Sequence, residues 1–260
     1  MPAHDGPWPD GTPCWVDVSV SDLGTARLFY EGLFGWNTEG WPPGTDRYVN
    51  CTKNGRLAAG IAPKATPEEP AAWTVYFSTA DLAARAQRVT DNGGQVLQGP
   101  TEVGDIGAMV LCTDPAGASF GLWRPGSHLG AGVVNEPGSL IWTEQLSHSP
   151  QDSLAFYRAV FEWEMHDWSF GGPPYSSFVS GTRDIGGVGG YAEDDLDLPN
   201  QWWAVLAVDD TDEAVDRVVK LGGGVLRPAA DSPYGRRATV ADSEGARFGL
   251  LAAPPEGYGD

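Results

Sequence analysis

Basic charge is scarce in this chain: 16 Lys and Arg stand against 35 Asp and Glu, giving a formal net charge of −19 and a pI near 4.4. That balance repels a phosphate backbone or an anionic membrane, so neither nucleic acid nor membrane is expected as a partner, and a small molecule is. The carboxylates are scattered, which reads as solubility rather than as a cation site. Cysteine is scarce too: Cys14, Cys51 and Cys112 are odd in number, lie in strand-like stretches and lack metal-type spacing, so buried reduced thiols are expected. No basic leader opens the chain and no apolar run is long enough to span a bilayer, which makes the cytoplasm the expected location. The four histidines fall apart from one another, His4 in an N-terminal stretch, His128 midway along the chain, His148 at a strand-to-helix turn and His166 on a strand, and none is placed to activate a serine or cysteine. There is no Gly-x-Ser-x-Gly elbow, and the Gly-rich stretches do not follow the strand-Gly-x-Gly-x-x-Gly-helix order of a dinucleotide site.

What the chain does have is one stretch used twice, Cys14–Trp36 and Ile141–Trp163. Trp15 matches Trp142, Phe29-Tyr30 matches Phe156-Tyr157 and Trp36 matches Trp163, each pair 127 residues apart. Gly93-Gly94 answers Gly222-Gly223, Asp114-Pro-Ala-Gly117 answers Asp242-Ser-Glu-Gly245, and Phe120-Gly-Leu122 answers Phe248-Gly-Leu250. The chain is a tandem duplication, long enough for two ordinary cores. The expected layout is an arm at 1–10, expected to be loose, domains at 11–126 and 139–254, a Gly- and Pro-bearing linker at 127–138 and a tail at 255–260.

Within each copy a strand-helix-strand-strand-strand order recurs. Val16, Val18 and Val20 alternate with Trp15, Asp17 and Ser19, which predicts a strand with two different faces. Ser21 or Asp22 can cap the helix that carries Leu23, Ala26, Phe29, Tyr30 and Leu33, and Gly35 ends it. In the second copy Pro150 after Ser149 suits a first helical turn. Strands follow at 48–52 and 56–61 around Asn54-Gly55, a hairpin signal. Next come a strand at 73–78, a helix from Asp81 to Thr90, and strands at 95–97, 108–113 and 118–123. The second copy repeats this with a strand at 202–208, a helix at 211–221 capped by Asp210, and strands at 224–226, 237–241 and 246–251.

These residues resemble the vicinal oxygen chelate superfamily, which includes glyoxalase I, extradiol dioxygenases and bleomycin-binding proteins. The resemblance runs over residues 12–253 and implies an α+β fold: two tandem domains, each a pair of βαβββ modules forming a curled, cup-shaped mixed sheet. In metal-using members a divalent ion is held by His or Gln on the first strand, Glu on the fourth, His on the fifth and Glu on the eighth. Carried over, these positions fall on Trp15, Gly60 or Ile61, Thr74 and Gly121, and on Trp142, Gly190 or Tyr191, Trp203 and Gly249. None is a ligand, and a register error of two residues adds only Asp17 and Glu144, so no metal and no other cofactor is expected.

Asp17 and Glu144 hold the same place in the two copies, about 7 Å along the strand from Trp15 and Trp142 on the same face. A carboxylate beside an indole in an apolar cup has its pKa raised by desolvation, which suits proton transfer near neutral pH; bonded to backbone or Arg it would instead anchor the sheet. Of the eleven Trp, Trp36 and Trp163 are expected in the core and Trp15, Trp142 and Trp203 in the cups, while Trp41, Trp73, Trp123, Trp168 and Trp202 sit where they could rim them. Thr74 and four tyrosines, Tyr48, Tyr76, Tyr175 and Tyr191, complete the expected binding set. The loop ending in Pro174-Tyr175 and the acidic stretch Glu193–Asp197 show no close counterpart in the first copy, and the bare run Gly186–Gly190 leaves room, which makes the second cup the roomier. The expected function is a metal-independent acid/base enzyme of secondary metabolism, cyclising, dehydrating or forming an acetal in an aromatic, polyketide-like substrate. An antibiotic-sequestering protein is the alternative, and a metal-dependent lyase or dioxygenase is less favoured. The duplication can supply within one chain the pairing that single-domain relatives obtain by dimerising, so a monomer or homodimer is expected.

Overall fold

The structure, a computed structural model, describes residues 4–40, 47–169, 172–195 and 197–252; Trp41 and the 255–260 tail lie outside them. The first copy runs β1 (Pro13–Val20), α1 (Leu23–Phe34), β2 (Asn37–Gly40), β3 (Val49–Lys53), β4 (Arg56–Pro63), β5 (Ala72–Ser78), α2 (Leu82–Asp91), β6 (Gln95–Val103), β7 (Gly107–Thr113) and β8 (Ser119–Pro125). The second runs β9 (Leu140–Ser147), α3 (Pro150–Phe161), β10 (Glu164–Asp167), β11 (Tyr175–Ser180), β12 (Arg183–Gly190), β13 (Gln201–Ala207), α4 (Thr211–Lys220), β14 (Gly224–Ser232), β15 (Gly235–Ala241) and β16 (Arg247–Ala252). Each copy is one eight-stranded mixed sheet, ordered β2-β3-β4-β1-β5-β8-β7-β6 and β10-β11-β12-β9-β13-β16-β15-β14. The paired βαβββ modules of an α+β fold are therefore present twice. Among the described residues no helix is long and apolar enough to cross a membrane.

The local signals act as their chemistry dictates. Asp22, not Ser21, caps α1 by accepting from the amides of Gly24 and Thr25, and Gly35 ends it at φ 66°. Asn54 and Gly55 both take positive φ, 52° and 75°, in the hairpin between β3 and β4. Asp210 accepts from the Glu213 amide at 3.0 Å. The short strands β2 and β10 escape the sequence pattern because they are polar edge strands with no apolar alternation.

Residues before β1, expected to be loose, are tied down from His4 onward. The His4 amide bonds Gly132 O at 3.0 Å, the His4 ring stacks on Trp8 at 3.9 Å, Asp5 pairs with Arg56, and Asp10 pairs with Arg85.

The repeated landmarks share one job: they join the copies. Phe29, Tyr30, Trp36, Phe156, Tyr157 and Trp163 belong to a single apolar core that runs through both. The Tyr30 hydroxyl donates to Asp242 at 2.9 Å, and the Tyr157 hydroxyl to Asp114 at 3.0 Å, each across the joint. Trp36 Nε1 donates to Gly138 O and Trp163 Nε1 to Gly11 O, at 2.7 and 2.8 Å. α1 packs on α4 and α2 on α3. Burial raises the pKa of both Asp114 and Asp242 above the usual carboxylate value, with the amides and tyrosines around each acting the other way. Trp73 and Trp202, which could have rimmed the cups, lie in this core instead, because both faces of β5 and β13 are covered.

Candidate functional site

On β1 the residues opposite the valines face away from the joint core. There the Trp15 indole donates to the Tyr48 hydroxyl at 2.9 Å, and that hydroxyl donates to Asp17 Oδ2 at 3.1 Å. The second copy repeats the relay: Trp142 donates to the Tyr175 hydroxyl at 3.0 Å, which donates to Glu144 Oε2 at 3.1 Å. Tyr48 and Tyr175 are thus counterparts, also 127 residues apart, a correspondence the sequence reading missed when it left the loop ending at Tyr175 unmatched. Glycine makes the relay possible. Asp17 pairs with Gly60 on β4 and Glu144 with Gly187 on β12, and a Cβ on either glycine would overlap the tyrosine hydroxyl that crosses it. The register corrects the second-copy position expected at Gly190 or Tyr191; the residue beside Glu144 is Gly187, and Tyr191 lies just beyond β12.

The first cup is closed by its own side chains. Tyr76 lies over Gly121, where a Cβ would strike its ring, and burial with the neighbouring Asp17 raises its pKa well above the usual phenol value. Trp15, Tyr76, Trp123 and Ala131 form an apolar cluster, with Trp8, Met109 and Leu111 packed against it. The stretch after β8 folds back over it: Trp123 Nε1 donates to His128 O at 3.0 Å, and the His128 ring meets Trp15 edge-on at 4.6 Å. His128 is a packing residue, with its pKa lowered by burial. Asp17, 6% exposed and opposite Thr74 on β5, has its pKa pushed up to about 7 by desolvation, with the hydroxyls of Tyr48 and Tyr76 acting the other way.

The second cup differs at several matched positions. Val205 stands for Tyr76, Trp203 for Thr74 and Arg237 for Met109. The smaller Val205 leaves a cavity of about 40 Å³ lined by Glu144, Trp203, Tyr191, Val205, Arg237 and Thr239, with Leu146, Asp195, Leu198 and Gly249 around them. Arg237 donates to Glu144 Oε1 at 3.0 Å. Strands β13 and β16 lie between their two strands, and on a flat sheet that separation would be about 14 Å, so the contact requires the sheet to curl into a cup. Glu144 in turn raises the pKa of Arg237. Trp203 Nε1 donates to the Tyr191 hydroxyl at 3.2 Å, and that hydroxyl to Pro199 O at 2.5 Å; burial raises the Tyr191 pKa to about 12. Trp168 is further out, 43% exposed, donating to Ser177 Oγ at 2.8 Å. The expected site residues therefore divide into two sets, Trp15, Asp17, Tyr48, Thr74 and Tyr76 in one cup and Trp142, Glu144, Tyr175, Tyr191 and Trp203 in the other. Arg237 was missed. Its only sequence signal is the exchange with Met109, 128 residues apart like Asp114 and Asp242.

The sequence profile of the Glyoxalase/Bleomycin resistance protein/Dioxygenase superfamily matches residues 14–122 and again 139–250. The chain belongs to this superfamily. A putative glyoxylase, CFP32, of Mycobacterium tuberculosis (strain CDC 1551 / Oshkosh) is 38% identical over 254 residues, covering 95% of this chain and 96% of the relative. The anthracycline biosynthesis protein DnrV of Streptomyces peucetius is 36% identical over 273 residues, covering 95% of each. Among solved structures, the Mn(II)-bound glyoxalase from Novosphingobium aromaticivorans superposes with a TM-score of 0.65 at 13% identity, covering 94% of this chain and 82% of that one. The 2,2',3-trihydroxybiphenyl 1,2-dioxygenase of Sphingomonas wittichii strain RW1 does so at 0.63 and 14%, covering 94% and 91%. At such identities the likeness is one of fold.

The superfamily's divalent ion does not fit the donors present. Each cup offers a single carboxylate at the carried-over positions or beside them, and in the second cup a guanidinium already sits on it. Gly60, Gly121, Gly187 and Gly249 bring no donor side chain. Among the described residues no three His, Cys, Asp or Glu side chains gather as a metal would require.

Proposed function

We propose that the protein is a metal-independent acid/base enzyme of secondary metabolism that acts on an aromatic, polyketide-like small molecule, and that its second cup is the working site. The observation that carries this reading is the cavity beside Glu144: one carboxylate of the matched pair lines open space, while the other is sealed among Trp15, Tyr48 and Tyr76. Glu144 moves the proton, Tyr175 and Trp142 hold it in place, and the indole of Trp203 and ring of Tyr191 form the apolar wall. Cyclisation, dehydration and acetal formation all need a proton acceptor, a proton donor and control of shape. The anthracycline biosynthesis relatives support an aromatic polyketide as the substrate class, and the acidity of the chain supports a small molecule over nucleic acid. Asp17 serves the first cup as a structural group.

A rival reading, sequestration of an aromatic antibiotic, draws on the Trp-lined cups and needs no proton transfer. Native mass spectra of protein purified from its producer separate the two. The expected result is a bound polycycle without a divalent ion, whose mass changes on incubation with the wild type. In Glu144→Gln the ligand should bind and persist unchanged, and in Asp17→Asn turnover should continue. A ligand that never changes establishes the binder. Loss of turnover in Asp17→Asn alone moves the chemistry to the first cup, and an ion retained through chelation restores metal chemistry.

A further inference from the structure

The two relays are alike, yet the second meets a cation and lines a cavity, while the first is packed among Trp15, Tyr76 and Trp123. The cation stands where the first cup has Met109, a side chain of that cup's apolar packing. We propose that Arg237 is a catalytic, oxyanion-binding residue and that the group entering the second cup is an enolisable carbonyl; this rests on the reading of Glu144 as the acid/base.

Size points first to the group. A cavity of about 40 Å³ holds the end of a molecule, not a ring; an apolar cavity of about 150 Å³ is what benzene fills. What enters is thus a carbonyl and its adjacent carbon, with the ring system outside. Charge points to the same group. Arg237 and Glu144 both line the cavity, 3.0 Å apart, so a ligand beside one is beside the other. A planar guanidinium has five donors and commits one of them to Glu144 here, leaving others for an oxygen that gains negative charge. Its side chain is 47% exposed while that of Glu144 is 8% exposed, which sets the base deeper and the cation toward the mouth.

The steps balance without a co-reactant. Glu144 takes a proton from the carbon next to the carbonyl; the C–H pair becomes the C=C of the enolate and the C=O pair moves onto oxygen, where Arg237 donates to it. Returning the proton gives back the ketone. With a hydroxyl on the β-carbon, the enolate re-forms C=O, the C–O bond breaks with its electron pair, and the departing oxygen takes the proton from Glu144 to leave as water. The carboxylate is regenerated.

2-Tetralone, an aryl-fused ketone, is the probe: loss of its α-proton signals in D2O is followed by NMR with chelator present, and its binding by saturation transfer. The wild type should exceed the buffer rate, and Glu144→Gln should fall back to it. Arg237→Met should lose about 10²–10³-fold in exchange while still binding. Arg237→Lys, which keeps charge without the planar fork, should recover part of that loss and serves where Arg237→Met fails to fold. Wild-type exchange in Arg237→Met, with none in Glu144→Gln, overturns the oxyanion role and leaves the acid/base reading standing. A bound ketone that the wild type exchanges no faster than buffer overturns the reading and this inference with it. A cup that takes no ketone, yet turns over its native polycycle, overturns the carbonyl assignment alone.

Discussion

Asp17 shows how far one residue's role depends on the company it keeps. Strand alternation and the 127-residue spacing put it and Glu144 on matching faces, and that much was legible in the sequence. Their different surroundings were not, because Tyr76 and Arg237 reach them from other strands of a curled sheet, and strand periodicity carries no information on curl. Desolvation gives Asp17 a pKa of about 7 in the folded chain against an ordinary value of 3.8. Between those values the folded chain holds a proton that the unfolded chain has released. The stabilisation is therefore fully present below about pH 4 and is lost as pH rises through about 7. Asp17→Asn removes this dependence. Urea denaturation from pH 4 to pH 8 should show the wild type losing on the order of a few kcal/mol relative to the variant, and parallel profiles would show that Asp17 is not buried as described.

Elements meet where glycine lets them. Gly94 follows α2 and Gly223 follows α4; a Cβ on Gly94 would come within 2.9 Å of Phe156, and one on Gly223 within 3.0 Å of Phe29, each a phenylalanine of the other copy. Backbone is closer still, at 2.5 Å from Thr113 O and from Ala241 O. Both glycine pairs stand just past a helix end, but the second member of each pair is there for the neighbouring helix. Gly94→Ala and Gly223→Ala should each destabilise by about 1–3 kcal/mol through overpacking, with an unchanged denaturant slope. A neutral result would mean that the helices shift apart at no cost. The same two-sidedness explains Trp202 and Trp203. Adjacent residues on a strand face opposite ways, so one had to enter the cup and the other the core. Both sides of β13 are apolar, so alternation alone could not say which, and it was the carried-over ligand position that put Trp203 in the cup.

At the scale of the whole molecule the copies are not beads on a string. Their cores are one cluster, closed by the paired Tyr30–Asp242 and Tyr157–Asp114 bonds and by rings that meet across the joint, Phe77 on Phe161 at 4.8 Å and Trp73 on Phe248 at 6.0 Å. A half released from its partner would expose this apolar surface together with two buried polar groups, so opening the joint costs what unfolding costs. Calorimetry should therefore give one transition whose calorimetric and van't Hoff enthalpies agree. Tyr30→Phe and Tyr157→Phe, which leave a buried aspartate short of a donor, should each cost about 1–3 kcal/mol and lower that single midpoint by several degrees rather than split it. Tyr157 has the more to lose, because its hydroxyl also accepts from Trp202 Nε1 at 2.8 Å. Two resolved transitions in either variant would mean that each copy carries a core sufficient for itself, and that the joint is a docked surface. One transition would mean that the motifs repeated along the sequence are repeated because each copy completes the other.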